Sequence, residues 1–228
     1  GGWYAWQAST AKVDKPSFVA GNGRIEATEV DIATKLAGRV NDILVTEGAF
    51  VKAGQVLATM QVQTLEAQLR EAQAQRAQAV TSVAAAEAQL AMRHSDKAAL
   101  AAQVHQAAAE RNAAQRRLAR SETLVREGAT SVQALDDDRT RMESAVAAVA
   151  AAQAKVTSAD ASIGAAKAQV VSAQSQVRAL DATLERIQAE IADSQLKAPR
   201  DGRVQFVVAQ PGEVLGAGGR VMNMLDVS

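Results

Sequence analysis

Two histidines, His94 and His105, are the residues best suited to metal binding or proton transfer at neutral pH. They stand eleven residues apart, about three helical turns, and so fall on a similar face of a helix. No acidic or thiol partner completes a ligand set at metal-binding spacing, and the simpler reading is a pair of solvated surface imidazoles. The chain has no cysteine, which excludes disulfides and thiolate metal sites. No phosphate-cradling glycine loop with its following lysine is present, and Gly216-Ala217-Gly218-Gly219 reads as a β-turn. No catalytic constellation emerges, so the expectation is a protein that is not an enzyme and carries no cofactor and no metal. With 25 basic and 25 acidic residues the net charge is zero, which also argues against nucleic acid as a partner.

The remaining information lies in the pattern of the elements. Alanine makes up about a fifth of the 228 residues, and only six are aromatic, a composition suited to long helices rather than a large compact core. Every seventh residue from Leu135 is large and apolar: Met142, Val149, Val156, Ile163, Val170, Val177, Leu184 and Ile191. A second seam three residues on runs Ala145, Ala152, Ala159, Ala166, Ala173, Leu180 and Ile187, with only Asp138 and Ser194 polar at its ends. The preceding stretch has a small seam (Leu65, Ala72, Ala79, Ala86, Leu100, Ala107, Ala114) and a larger one (Leu69, Val83, Leu90, Val104, Leu118, Val125). Sustained heptads of this kind predict a coiled coil. The single break, Glu127-Gly128-Ala129-Thr130-Ser131, makes it an antiparallel two-helix hairpin, with helix 1 over about 64–127 and helix 2 over about 131–194. At ~1.5 Å per residue each helix is on the order of 90–95 Å long.

Local signals mark the ends. Thr64 and Ser131 are the expected N-caps, Gly128 suits a left-handed helix C-terminus, and Pro199 stands shortly after helix 2. Asp136, Asp137 and Asp138 lie in or near the first turns of helix 2, where the helix dipole favours negative charge. Arg93 and Lys97 interrupt the seams of helix 1, and Gly164 falls opposite them in helix 2. Two readings fit: a local bend, or long side chains snorkelling out of a narrow seam.

Short β-rich runs punctuated by glycines flank the helices. They repeat each other: Gly38-Arg39-Val40 matches Gly202-Arg203-Val204, Glu47-Gly48 matches Pro211-Gly212, and Val56-Leu57 matches Val221-Met222. The pair is similar to the two halves of a lipoyl or biotinyl carrier domain. Where such a domain carries its modified lysine, this chain has Met60-Gln61-Val62-Gln63 and Asp193-Ser194-Gln195, with no lysine; Lys197 falls inside the second half. The scaffold is therefore expected to lack a swinging cofactor, against the alternative of a lipoyl or biotinyl carrier protein. At the N-terminus, Trp3, Tyr4 and Trp6 form an aromatic cluster of the type common at a membrane–water boundary. It fits a position just after a transmembrane anchor, or a terminus with chance aromatics. No stretch of the chain reaches the ~18 apolar residues that span a bilayer.

A split lipoyl-like domain carrying an α-hairpin resembles the periplasmic adaptor family, the membrane fusion proteins of the HlyD type, over roughly residues 23–228. Adaptors that dock onto TolC-type outer-membrane channels look alike at the hairpin tip: Arg, Leu four residues on, Ser seven further. Arg120, Leu124 and Ser131 stand at that spacing, followed by Leu135-Asp136. The resemblance implies an α+β fold: a lead-in segment over 1–30, including a strand from an absent β-barrel, then a first lipoyl-like half over 31–62, the hairpin over 63–194 and a second half over 195–228. It implies tip contacts through Arg120, Leu124, Gly128 and Ser131, a hexamer, and a periplasmic location with an N-terminal inner-membrane anchor. Its implied partners are an inner-membrane transporter of ABC or major-facilitator type and a TolC-type channel, for export of drugs or other substrates. Against docking stands the plainer reading of Leu124 as the last interhelical contact, Arg120 as a solvated charge and Ser131 as only a cap. The alternatives for the whole chain are a stand-alone coiled-coil spacer and a channel-independent exporter accessory.

Overall fold

A computed structural model describes residues 28–226. The aromatic cluster at Trp3, Tyr4 and Trp6, most of the lead-in segment, and Val227 and Ser228 lie outside the described residues. The chain divides into two units, a β-domain built from both ends and a helical unit over Gln61–Gln195.

The β-domain contains β1 (Glu29–Ala33), β2 (Gly38–Ile43), β3 (Phe50–Val51) and β4 (Val56–Met60), then, after the helices, β5 (Gln195–Lys197), β6 (Gly202–Val207), β7 (Val214–Leu215) and β8 (Arg220–Asp226). They form two four-stranded sheets, β1-β8-β6-β3 and β5-β4-β2-β7. Each sheet takes strands from both halves, and exchanging the halves turns one strand order into the other. The hydrogen bonds obey the same two-fold. Gly48 N–H donates to Val204 O and Gly212 N–H to Val40 O, both at 2.8 Å. Gly218 N–H donates to Thr34 O and Gly54 N–H to Ala198 O, again both at 2.8 Å. Gly48, Gly54, Gly212 and Gly218 all have φ between 80° and 88°, a backbone region cheap only for glycine, so the turns are fixed in matching pairs.

Every matched pair stands the same interval apart in the chain, and the core follows that interval. Val40 and Val204 are both 1% exposed, Leu57 and Val221 both 0%, Ala58 and Met222 both 0%. This corrects one pairing made from sequence: Val221-Met222 matches Leu57-Ala58, not Val56-Leu57. Glu29 and Val30, which the sequence places in the lead-in segment, pair with Leu225 and Met224 and so begin the β-domain. Ladder hydrogen bonds to β8 reach further toward the N-terminus than the apolar pattern does.

In the helical unit, α1 (Gln63–Arg126) and α2 (Val132–Asp193) pack against each other along their length. All nine residues of the Leu135-to-Ile191 seam are half-buried or buried, while most residues off the seams are exposed. Ala72, Ala79, Ala114 and Ala159 are buried beside the larger Ile163, Val170 and Ile187, which lets two helices approach closely without voids. Thr64 is not the N-cap. The helix is already under way at Gln63, behind Val62, whose carbonyl accepts from Glu66 N–H at 2.9 Å and whose side chain makes no cap bond. Within the mid-hairpin polar break, Arg93 turns to Asp96 on its own helix at 3.6 Å and Lys97 reaches across to Asp160 at 2.6 Å. Helical hydrogen bonding continues through Gly164, where an added Cβ would meet nothing within 4 Å; packing gives no reason for that glycine.

Candidate functional site at the hairpin turn

The turn is built by two complementary caps. At the end of α1, Gly128 takes φ +72°; its N–H donates to Val125 O at 3.1 Å and Ala129 N–H donates to Leu124 O at 2.8 Å. This pair of bonds is a Schellman motif, which satisfies carbonyls that a helix end otherwise leaves open. At the start of α2, the Ser131 hydroxyl accepts from Ala134 N–H at 3.1 Å, closing one of the free N–H groups. Gly128 and Ser131 thus shape the turn, and neither depends on a neighbouring molecule to do so.

The side chains around it are of two kinds. Arg117 and Arg126 are engaged within the hairpin, but Arg120 is exposed and has no hydrogen bond or ion pair among the described residues. Leu124 is 38% exposed, and Val132, on the other side of the turn, is 64% exposed. Sequence reasoning did not single out Val132. Its position three residues before Leu135, off both seams, was the available signal.

Below the turn lies a buried polar group. Asp138, on a seam position, is 6% exposed, and Ser121 opposite it is 9% exposed. The Ser121 hydroxyl donates to Asp138 Oδ2. Arg117 Nε lies 2.8 Å from Asp138 Oδ1, and Arg141 Nη1 lies 3.7 Å away. The Ser121 hydrogen bond, helped by the two guanidinium groups and opposed by desolvation, holds the Asp138 carboxyl below its ordinary value. A carboxyl depressed in the folded state contributes stability that is present above its unfolded value and lost as pH falls through its folded value. Melting of the wild type is therefore expected to fall more between pH 6 and pH 3 than melting of Asp138→Asn, whose amide does not titrate. Equal acid sensitivity in circular dichroism melts would remove this role.

His94 and His105 are both exposed on α1. Among the described residues, no group of three or more His, Cys, Asp or Glu is placed to hold a metal ion, and no helix is long and apolar enough to cross a membrane. Between β4 and α1 stand Gln61 and Val62, and between α2 and β5 stands Ser194; Lys197 is an exposed residue within β5, not on a turn.

No protein-family model matches the sequence, and no curated protein is similar to it by sequence. Solved structures do resemble it. MacA from Actinobacillus actinomycetemcomitans aligns over 89% of this chain and 52% of its own, with TM-score 0.50 and 18% identity. The periplasmic adaptor protein EmrA aligns over 87% of this chain and 72% of its own, with TM-score 0.48 and 15% identity. The soluble domain of LipC, a membrane fusion protein of a type I secretion system, aligns over 86% and 98%, with TM-score 0.45 and 12% identity. The chain shares its fold with MacA. The chain spans about half the length of MacA.

Proposed function

We propose that this chain is the hairpin and lipoyl-like part of a non-enzymatic adaptor of the HlyD type, joining an inner-membrane transporter to an outer-membrane TolC-type channel. The observation that carries the reading is the fold itself, a two-fold β-domain interrupted between its halves by a long helical hairpin. The exposed Arg120 and part-exposed Leu124 beside a rigidly capped turn support docking by the tip. Leu124 offers an apolar anchor for a groove between helices, and Arg120 offers a fork of donors for backbone carbonyls or carboxylates. Gly128 and Ser131 set the shape that presents them. The transporter is of ABC or major-facilitator type, the ring is a hexamer, and the protein works in the periplasm, held to the inner membrane by an N-terminal helix. Its role is to seal and couple a conduit; the absence of a lysine at the joint speaks against a carrier protein.

The test is a pull-down of outer-membrane proteins with the membrane-anchored full-length protein, comparing wild type with Arg120→Asp and Leu124→Asp at matched helicity. Each variant sets an unpaired carboxylate where docking would strip it of water, which is costly, so each is expected to lower channel capture by about tenfold or more. Capture that is equal in all three, or absent in all, would favour a stand-alone spacer or a channel-independent exporter accessory.

A further inference from the structure

Three ion pairs cross between the helices among the described residues. They are Arg76 with Asp181, Lys97 with Asp160 at 2.6 Å, and Arg117 with Asp138 at 2.8 Å. In each, the cation is on α1 and the aspartate on α2, and successive pairs stand about three heptads apart on both helices. We infer that these pairs are a register code: they select one axial alignment of the two helices and so fix which residues form the hairpin turn.

The apolar seams cannot make that selection. Large residues recur every seventh position on α2 and small ones recur every seventh on the facing seam of α1, so sliding one helix by a heptad restores much the same packing. The charges break this degeneracy. A one-heptad slip takes Asp138 from Ser121 to face Ala114 or Gly128. It takes Asp160 from Lys97 to Leu90 or Val104, and Asp181 from Arg76 to Leu69 or Val83. All three aspartates lose their partners on α1 together, Asp138 keeping only Arg141 of its own helix at 3.7 Å. A cation again faces an aspartate only after a slip of two heptads, which sets Arg111 opposite Asp160, or of about three. The pairs are unequal. Asp181 and Asp160 have side chains 41% and 53% exposed, where an ion pair contributes little. The Asp138 side chain is only 8% exposed, and a carboxylate buried without its partners is costly. The strongest element of the code therefore stands nearest the turn, as a single polar residue in an apolar seam specifies register in other coiled coils. Asp138, Asp160 and Asp181 act here as positioning residues, and the inference deepens the tip-docking reading because Arg120 and Leu124 are displayed only in the coded register.

Disulfide trapping in the full chain tests this directly, since it has no cysteine of its own. Ala114→Cys with Ala145→Cys, which line one cleft, reports the native register. Ala114→Cys with Ala152→Cys, and Ala107→Cys with Ala145→Cys, report slips of one heptad. Only the native pair should cross-link in the otherwise wild-type chain. Adding Asp138→Leu, Asp160→Ala and Asp181→Ala is expected to raise the slipped products at least tenfold at unchanged helicity. Slipped products that stay at the wild-type level would show that the turn alone sets register and would overturn the inference. If the triple variant loses helicity, Asp160→Lys decides: slipped products should rise, and adding Lys97→Asp should return them to baseline. No rise, or a rise without rescue, also overturns it. If the wild type cross-links as expected but captures no channel, tip docking fails while the register code stands.

Discussion

Gly202→Ala is expected to weaken the β-domain by about 2–3 kcal/mol, the upper part of the range for overpacking a filled core, while its two-fold mate Gly38→Ala changes stability by no more than about 0.5 kcal/mol. A Cβ at Gly202 would press into the Leu225 carbonyl oxygen and come within 2.5 Å of Met224 Cε. The carbonyl belongs to the neighbouring strand β8 of the same sheet, so relief requires shifting one hydrogen-bonded strand against the other. A Cβ at Gly38 would meet only Met60 Cε, at an ordinary 3.6 Å. Met60 and Met224 are themselves two-fold mates, so the experiment reads where the symmetry of the domain breaks. Amide exchange of β8 is the suitable probe, because the helices dominate circular dichroism. Equal loss of protection in the two variants would refute the asymmetry.

A second large effect is expected at Leu57. It is fully buried, as is its mate Val221, and Leu57→Ala should cost about 3–4 kcal/mol through lost transfer energy and a residual cavity. Small domains have total stabilities of only ~5–15 kcal/mol, so this single change should leave the β-domain close to unfolding. Truncating Leu184 in the α2 seam, which is only half-buried, should cost about 1–2 kcal/mol, since less apolar area is lost. Urea titration monitored by strand and helix amide exchange separates the two. If Leu184→Ala proves as damaging as Leu57→Ala, stability is not concentrated in the β-domain core as burial indicates.

These contrasts explain what could be read from the sequence. The heptads were legible because one seam is buried again and again over many repeats, so the period is written redundantly. Gly128 and Ser131 were legible because capping is a local matter of a few backbone bonds. Matching Val56-Leu57 to Val221-Met222 slipped by one residue because β8 is buried at four consecutive positions, Val221 to Met224. Strands enclosed on both faces lose the alternation that sets register. Thr64 failed as a cap because the chain was already helical at Gln63, and a capping residue type does not by itself stop a helix from starting earlier. Asp138 was visible as a polar residue at the end of a seam and as one of three aspartates near the start of helix 2. That it is buried, and that Ser121 and Arg117 meet it, depends on the azimuth of α1, which no local pattern on α2 contains.

The interleaving of the two halves also has a consequence for synthesis. Neither sheet can be completed until β5 to β8 exist, because each takes strands from both ends of the chain. At ~5–20 residues per second, the first half therefore waits on the order of ten seconds while the helices emerge, with its strand edges unpaired. The hairpin then shortens the search for partner strands. Its contacts nest about one turn and can zip from Gly128 outward, and the closed zipper delivers β5 beside β4, its neighbour in the sheet. The loop-closure entropy of joining distant strands is thus met in small local steps, and the helices act during folding as the splint that brings the two halves of the β-domain together.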